Sequence, residues 1–253
     1  MVELIGIRNL SFSYGKKEVL KGINLSINKG EFVGIIGPVG SGKSTLLLIM
    51  NGVIPNLING NFDGEVHVRG MDTKTSKVSE ISKSVGIVLQ DPNSQIFSLR
   101  LRDEVAFALE NRKLPADEVE RRVNKYLSLF GLQSMKDEDP NNLSEGQKQK
   151  LAVASTLAME PELILLDEPS SSLDFGGALE MYKLLSKLNR KGITIIVVEH
   201  DTEMLVENVG RVLLLKDNAI ELDGPPAEVL SNPKIVKYGL KVPCIFRGRK
   251  VKK

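Results

Sequence analysis

The 253-residue chain contains one cysteine, Cys244, two histidines, His67 and His200, and no tryptophan. One thiol cannot build an internal disulfide framework, and one thiol with two imidazoles cannot supply a Cys/His metal cluster. His67 falls on the polar side of a short alternating segment with no ligand-like neighbours, and reads as a surface residue. No stretch comes near the ~18 successive apolar residues that a membrane span requires, so the chain is not expected to be a channel or carrier itself. The start, Met1-Val2-Glu3-Leu4, lacks a basic region followed by an apolar one, so no secretory signal is expected. Charge of one sign is lacking too. The formal net charge is +2, and five positive residues, Arg247, Arg249, Lys250, Lys252 and Lys253, lie in the last seven positions; +2 less 5 leaves the body at −3. No nucleic-acid partner is indicated, and the basic tail reads as a solvated terminus, with anionic lipid headgroups as the alternative contact.

What is present is ordinary for a soluble globular protein, 42% hydrophobic and 26% charged residues in a chain long enough for a large core. The informative stretch is Gly37-Pro38-Val39-Gly40-Ser41-Gly42-Lys43-Ser44. It follows Phe32-Val33-Gly34-Ile35-Ile36, which reads as a buried strand, and precedes Thr45-Leu46-Leu47-Leu48-Ile49-Met50, which reads as the first turns of a helix. Glycines at 37, 40 and 42 let successive backbone N–H groups point into one concavity that suits a phosphate chain. The helix start adds the positive end of its dipole, Lys43 can reach the β- and γ-phosphates, and the Ser44 hydroxyl can ligate Mg²⁺. This is a Walker A loop, and its strand and helix context points to nucleoside triphosphate binding.

Taken in order, residues 3 to 32 alternate apolar and polar positions as half-buried antiparallel strands do. Tyr14 ends the first set and either stacks on adenine at the lip of a nucleotide pocket or simply packs against its strand neighbours. Asn51 to Asn61 reads as a loop, and Gly64 to Gly70 as a short strand bounded by glycines. Val85 to Leu89 is a second buried run. From Gln90 to Asn142 the pattern turns helical, with helices expected over Leu99–Arg112 and Pro115–Phe130, as in an inserted subdomain. A further amphipathic helix runs to Leu157. Leu163–Leu166 and Ile193–Val198 are the third and fourth buried runs, separated by a helix over Gly177–Arg190, and a hairpin over Arg211–Leu215 and Ala219–Leu222 follows.

The four buried runs stop at polar groups: the phosphate loop, Gln90, Asp167-Glu168 and Glu199-His200-Asp201. Strands alternating with helices imply a parallel sheet, and ligands of such sheets bind beyond the carboxyl ends of the strands. Asp167 then fits a Walker B carboxylate on Mg²⁺, Glu168 a general base toward the water attacking the γ-phosphate, Gln90 a ligand to Mg²⁺ that also senses that water, and His200 a donor to the γ-phosphate. The expected fold is an α/β P-loop NTPase: a mainly parallel core sheet from 1–89 and 146–240, an N-terminal antiparallel β subdomain, a helical subdomain inserted at 90–145, and a C-terminal segment, 241–253, with the basic tail.

Leu143-Ser144-Glu145-Gly146-Gln147 resembles the signature motif of the ABC transporter ATPases, whose usual form is Leu-Ser-Gly-Gly-Gln. The likeness extends to an aromatic at Tyr14, the Walker A loop through Thr45, Gln90, Walker B with Glu168, a D-loop at Ser172-Leu173-Asp174, and His200 as the switch histidine. Gln90 to Phe97, followed by Asp103-Glu104-Val105-Ala106-Phe107, is similar to the energy-coupling-factor branch, the cobalt and vitamin importers; so are Gly224–Leu230 and Gly239–Pro243. The resemblance implies a head-to-tail pair of ATPase chains, like or unlike, each ATP lying between one phosphate loop and the partner's Ser144, Gly146 and Gln147, with Asp174 beside it. It implies ATP and Mg²⁺ as cofactors, a place on the cytoplasmic face of the cell membrane, and an integral T component carrying a small substrate-capture subunit. A soluble ABC ATPase without a membrane partner is the alternative. Glu145 departs from the usual glycine, and is expected to face solvent, since a carboxylate aimed at a γ-phosphate would oppose closure. Phe175 departs from the proline often found after the D-loop aspartate.

Overall fold

The computed structural model describes residues 2–246. Alternation at the N-terminus produces β1 (Glu3–Tyr14) and β2 (Lys17–Asn28), which pair antiparallel around the turn at Gly15-Lys16. Then come β3 (Phe32–Ile36), α1 (Lys43–Met50), the short α2 (Val53–Asn56), β4 (Asn61–Val68), β5 (Met71–Asp72), α3 (Val78–Ile81) and β6 (Val85–Val88). The helical section supplies α4 (Leu101–Asn111), α5 (Ala116–Leu129) and α6 (Glu145–Ala158). The chain returns through β7 (Leu163–Asp167), α7 (Phe175–Arg190), β8 (Thr194–Val198), α8 (Thr202–Asn208) and the hairpin β9 (Arg211–Lys216) and β10 (Ala219–Gly224), then α9 (Pro226–Leu230) and α10 (Pro233–Lys237).

Two sheets result. The first is antiparallel, in the order β2-β1-β4-β5; the second runs β10-β9-β3-β8-β7-β6, parallel from β9 to β6, with β10 antiparallel at its edge. This is the expected α/β architecture, a mainly parallel core sheet with an antiparallel β subdomain. The core strands β3, β7 and β8 are buried at every position, as strands covered on both faces must be. Their side chains divide with period two. Val33, Ile35, Leu165, Ile196 and Val198 enter the core shared with β1, β2 and α1, whereas Phe32, Ile36, Leu166, Ile195 and Val197 enter the core shared with α6 and α7. A polar residue placed just past such a strand can leave neither core without breaking the register, so the strand ends are fixed positions.

Two local expectations are corrected. Asn51–Asn61 is not wholly a loop: it holds α2, and β4 begins at Asn61 rather than Gly64, because Asn61 and Phe62 pair with Ser13 and Phe12 of β1. Gly64, with φ +88°, lies at a register shift in that pairing and marks an irregularity within the strand instead of its start. α5 buries Val119, Val123, Tyr126 and Leu127 on one face, the helical repeat seen in the sequence. α6 packs against α4, α5 and β6, so the expected border at 145/146 falls at the start of a helix that touches both parts. Residues 247–253, the basic tail, lie outside the described residues.

Candidate active site

β3 ends at Ile36, and the chain passes through Gly37–Gly42 before α1 begins at Lys43. Gly42 caps that helix with φ +99°, and a Cβ there would come within 2.8 Å of the Val19 carbonyl and 2.9 Å of a Leu20 methyl. Backbone conformation and close approach to β2 both require glycine at this position. Lys43 is buried and folds back over the loop, its Nζ donating to the carbonyls of Gly37 (2.8 Å) and Pro38 (3.0 Å). Burial pulls its pKa below the ordinary lysine value, opposed by the nearby carboxylates of Glu168 and Asp167.

β7 ends on Asp167, which is buried. Burial raises its pKa, and the Ser44 hydroxyl works against that. Its Oδ1 is buried with no hydrogen-bond partner, and so is the Ser41 Oγ in the loop. An orphaned buried carboxylate oxygen is costly unless something pairs with it, and beside a hydroxyl it forms a hard-oxygen donor pair that fits Mg²⁺. Ser44 and Asp167 would hold such an ion.

Glu168 follows in the left-handed region, φ +50°. Its Oε2 accepts a 2.8 Å hydrogen bond from Gln90 Nε2, and its Oε1 lies 2.8 Å from His200 Nε2. The ends of β6, β7 and β8 therefore meet at one carboxylate. Gln90, Glu168 and His200 line a cleft of about 330 Å³ together with Tyr14, Lys17, Val19, Val39, Gly40, Gly42, Lys43, Ser44 and Thr45. Tyr14 is part-exposed at the lip; its ring meets Phe12 edge-on at 4.8 Å, and its hydroxyl is 3.5 Å from Thr45 Oγ1. Packing on the strand and facing the cleft are thus compatible for this residue. Lys17 and Val19 escaped the sequence reading, although a lysine directly after the turn that follows Tyr14 was a usable signal.

Ser144, Gly146, Gln147 and Asp174 do not line this cleft. Ser144 caps α6: its hydroxyl accepts from Gln147 N–H at 3.3 Å, and Gln147 Oε1 accepts from Ser144 N–H at 2.9 Å, a reciprocal capping box. Asp174 caps α7 through Gly177 N–H at 2.7 Å. A Cβ on Gly146 would lie 3.1 Å from a Leu173 methyl and 3.2 Å from the Ser172 carbonyl, so the signature rests directly on the D-loop. Glu145 is exposed yet held: Oε1 accepts from Lys148 Nζ at 2.9 Å and Oε2 from Asn93 Nδ2 at 3.0 Å, which lowers its pKa.

The family model for the ABC transporter matches residues 20–171. A relative from Pyrococcus horikoshii is 45% identical across the whole chain and 90% of its own length. The energy-coupling factor transporter ATP-binding protein EcfA of Methanocaldococcus jannaschii is 41% identical, over 96% of this chain and 86% of its own. Among solved structures, cbiO1 from Clostridium perfringens, part of the ABC transporter complex cbiONQ, superposes with a TM-score of 0.82 at 34% identity, covering 94% of each chain.

Proposed function

Because the chain belongs to the ABC transporter family as an ATP-binding ATPase, we propose that it is the ATPase subunit of an energy-coupling-factor-type importer for a small molecule, a vitamin or a transition-metal ion. The likeness to EcfA and to cbiO1 supports that branch. The observation that carries the mechanism is the split of the site: Lys43, Gln90, Glu168 and His200 share one cleft, while Ser144, Gly146, Gln147 and Asp174 lie outside it. A second ATPase chain, of the same or a related kind, brings its signature over the nucleotide. The phosphate loop and Lys43 bind the triphosphate, Ser44, Gln90 and Asp167 would hold Mg²⁺, which would supply charge neutralisation on the phosphates, and Glu168 takes the proton of the attacking water. His200 keeps the γ-phosphate in line.

No helix among the described residues is long and apolar enough to cross a membrane. The chain then sits peripherally on the cytoplasmic face and reaches the transported compound through an integral T component with its capture subunit. An apolar patch supports this. Phe97, Leu99 and Phe107 are 62%, 77% and 46% exposed, and the Phe97 and Phe107 rings meet edge-on at 4.6 Å. Buried Glu104 accepts from the backbone N–H groups of Phe97 (3.2 Å) and Ser98 (3.0 Å), which fixes the loop that presents them. A helix of the membrane partner would cover these rings. Affinity capture from detergent-solubilised membranes should recover an integral membrane protein with the wild type and lose it with the Phe97→Ser, Phe107→Ser double variant. Recovery of no membrane protein by the wild type would overturn the transport reading and leave the ATPase intact.

A further inference from the structure

One buried carboxylate has no part in the mechanism above. Glu199 directly continues β8, is 3% exposed, and precedes His200 in the chain. Its Oε1 accepts two hydrogen bonds, from Ser170 Oγ at 2.7 Å and from the Tyr182 hydroxyl of α7 at 3.1 Å. Ser170 lies inside a closed turn, in which the Glu168 carbonyl accepts from Ser171 N–H (3.1 Å) and Ser171 Oγ (2.9 Å). Glu168 N–H also donates to the Val198 carbonyl at 3.0 Å, and Glu199 N–H to the Ile35 carbonyl of β3 at 3.1 Å. Tyr182 is itself fully buried, its ring stacked with Phe32 at 6.5 Å and 8° between planes. The Glu199 carboxylate therefore joins three elements at one oxygen: the turn that carries Glu168, the strand end that carries His200, and the core helix α7.

We propose that Glu199 is a positioning residue for ATP hydrolysis, anchoring the Glu168–Ser171 turn to the His200 segment so that the base and the switch histidine keep their mutual geometry. The proposal rests on the reading of Glu168 as the base. Hydrogen bonds to an ionised acceptor are about twice as strong as neutral ones, so the anchor is firm while the carboxylate is charged and looser once it is protonated. Burial raises the Glu199 pKa to about 7, and the Ser170 and Tyr182 hydroxyls act in the opposite direction. The titratable groups around it are Tyr182 from α7 and Glu168 from the end of β7, and from its own segment His200 and Asp201, the last acting on Tyr182. A purely structural carboxylate in this place would set stability alone; a positioning one writes its own titration into turnover.

The test is the pH profile of ATP turnover by the full chain at saturating Mg²⁺ and ATP. In the wild type kcat is expected to rise through a limb near pH 7. Glu199→Gln keeps the shape of the acceptor without its charge, and should lower kcat about tenfold with KM for ATP unchanged, while erasing the limb. Tyr182→Phe removes one donor to the charged form and should shift the limb to higher pH. A Glu199→Gln chain with the wild-type limb and wild-type kcat overturns the proposal. Should that variant not fold, a Tyr182→Phe limb that stays in place overturns it equally. Failure of the base assignment is distinguishable: there, Glu168→Gln would still turn over ATP, whatever the behaviour of Glu199.

Discussion

The two halves of the proposed ATP site are built by different means. The cleft half hangs on strand ends: Asp167 closes β7, and Glu168, Gln90 and His200 lie within two residues of the ends of β7, β6 and β8, strands whose register is locked by two cores. The signature half hangs on two helix starts, where Ser144 caps α6 and Asp174 caps α7, both exposed, and Glu145 is tied to Asn93 and Lys148 at the surface. The buried strands fix the backbone positions of the first set, although of its side chains only Asp167 is itself buried; the second set is held by a few polar bonds in water, each individually weak. A half-site that must dock and undock against another chain tolerates such mobility, while one that positions a proton transfer does not.

The sharpest test of this contrast lies at the cleft. Glu168→Gln should leave ATP binding intact and lower kcat by about 10²–10⁴-fold, the usual contribution of a general base, and it should accumulate an ATP-bound pair of chains in gel filtration. The next experiment crosses the two halves. Lys43→Ala and Ser144→Ala should each be nearly inactive alone, and an equal mixture should regain turnover, because a mixed pair holds one site with both an intact loop and an intact signature. No recovery on mixing would mean that two copies of this chain do not supply the two halves to one another. The smallest effect belongs to Glu145→Gln. Its carboxylate is exposed and its partners lie on its own chain, so turnover measured at saturating ATP should change by less than about twofold. A large gain would instead show the carboxylate acting against the γ-phosphate.

The four strand ends are legible in the sequence because an aliphatic run in a two-faced sheet is continuous, and its first polar residue marks the edge. The phosphate loop is legible because its glycines answer a backbone demand, as Gly42 shows. Contacts between distant residues are not. Asn93 and Glu145 stand 52 residues apart and meet only when α6 packs beside the Gln90 loop. Within Glu199-His200-Asp201, composition cannot say that the first side chain turns into the protein toward Tyr182 while the second reaches Glu168. The start of β4 was hidden for a similar reason: Asn61 and Gly64 have turn-like identities, and pairing with β1 overrides them.

Glu168 sits in a backbone conformation that side-chain-bearing residues avoid, at a cost on the order of 1–3 kcal/mol. Glycine would relieve that cost and delete the carboxylate in the same stroke. Selection for a sturdier cassette and selection for a working one thus pull on this codon in opposite directions, and a glycine recovered at residue 168 from a thermostabilised library of this protein is expected to be sturdier and inactive.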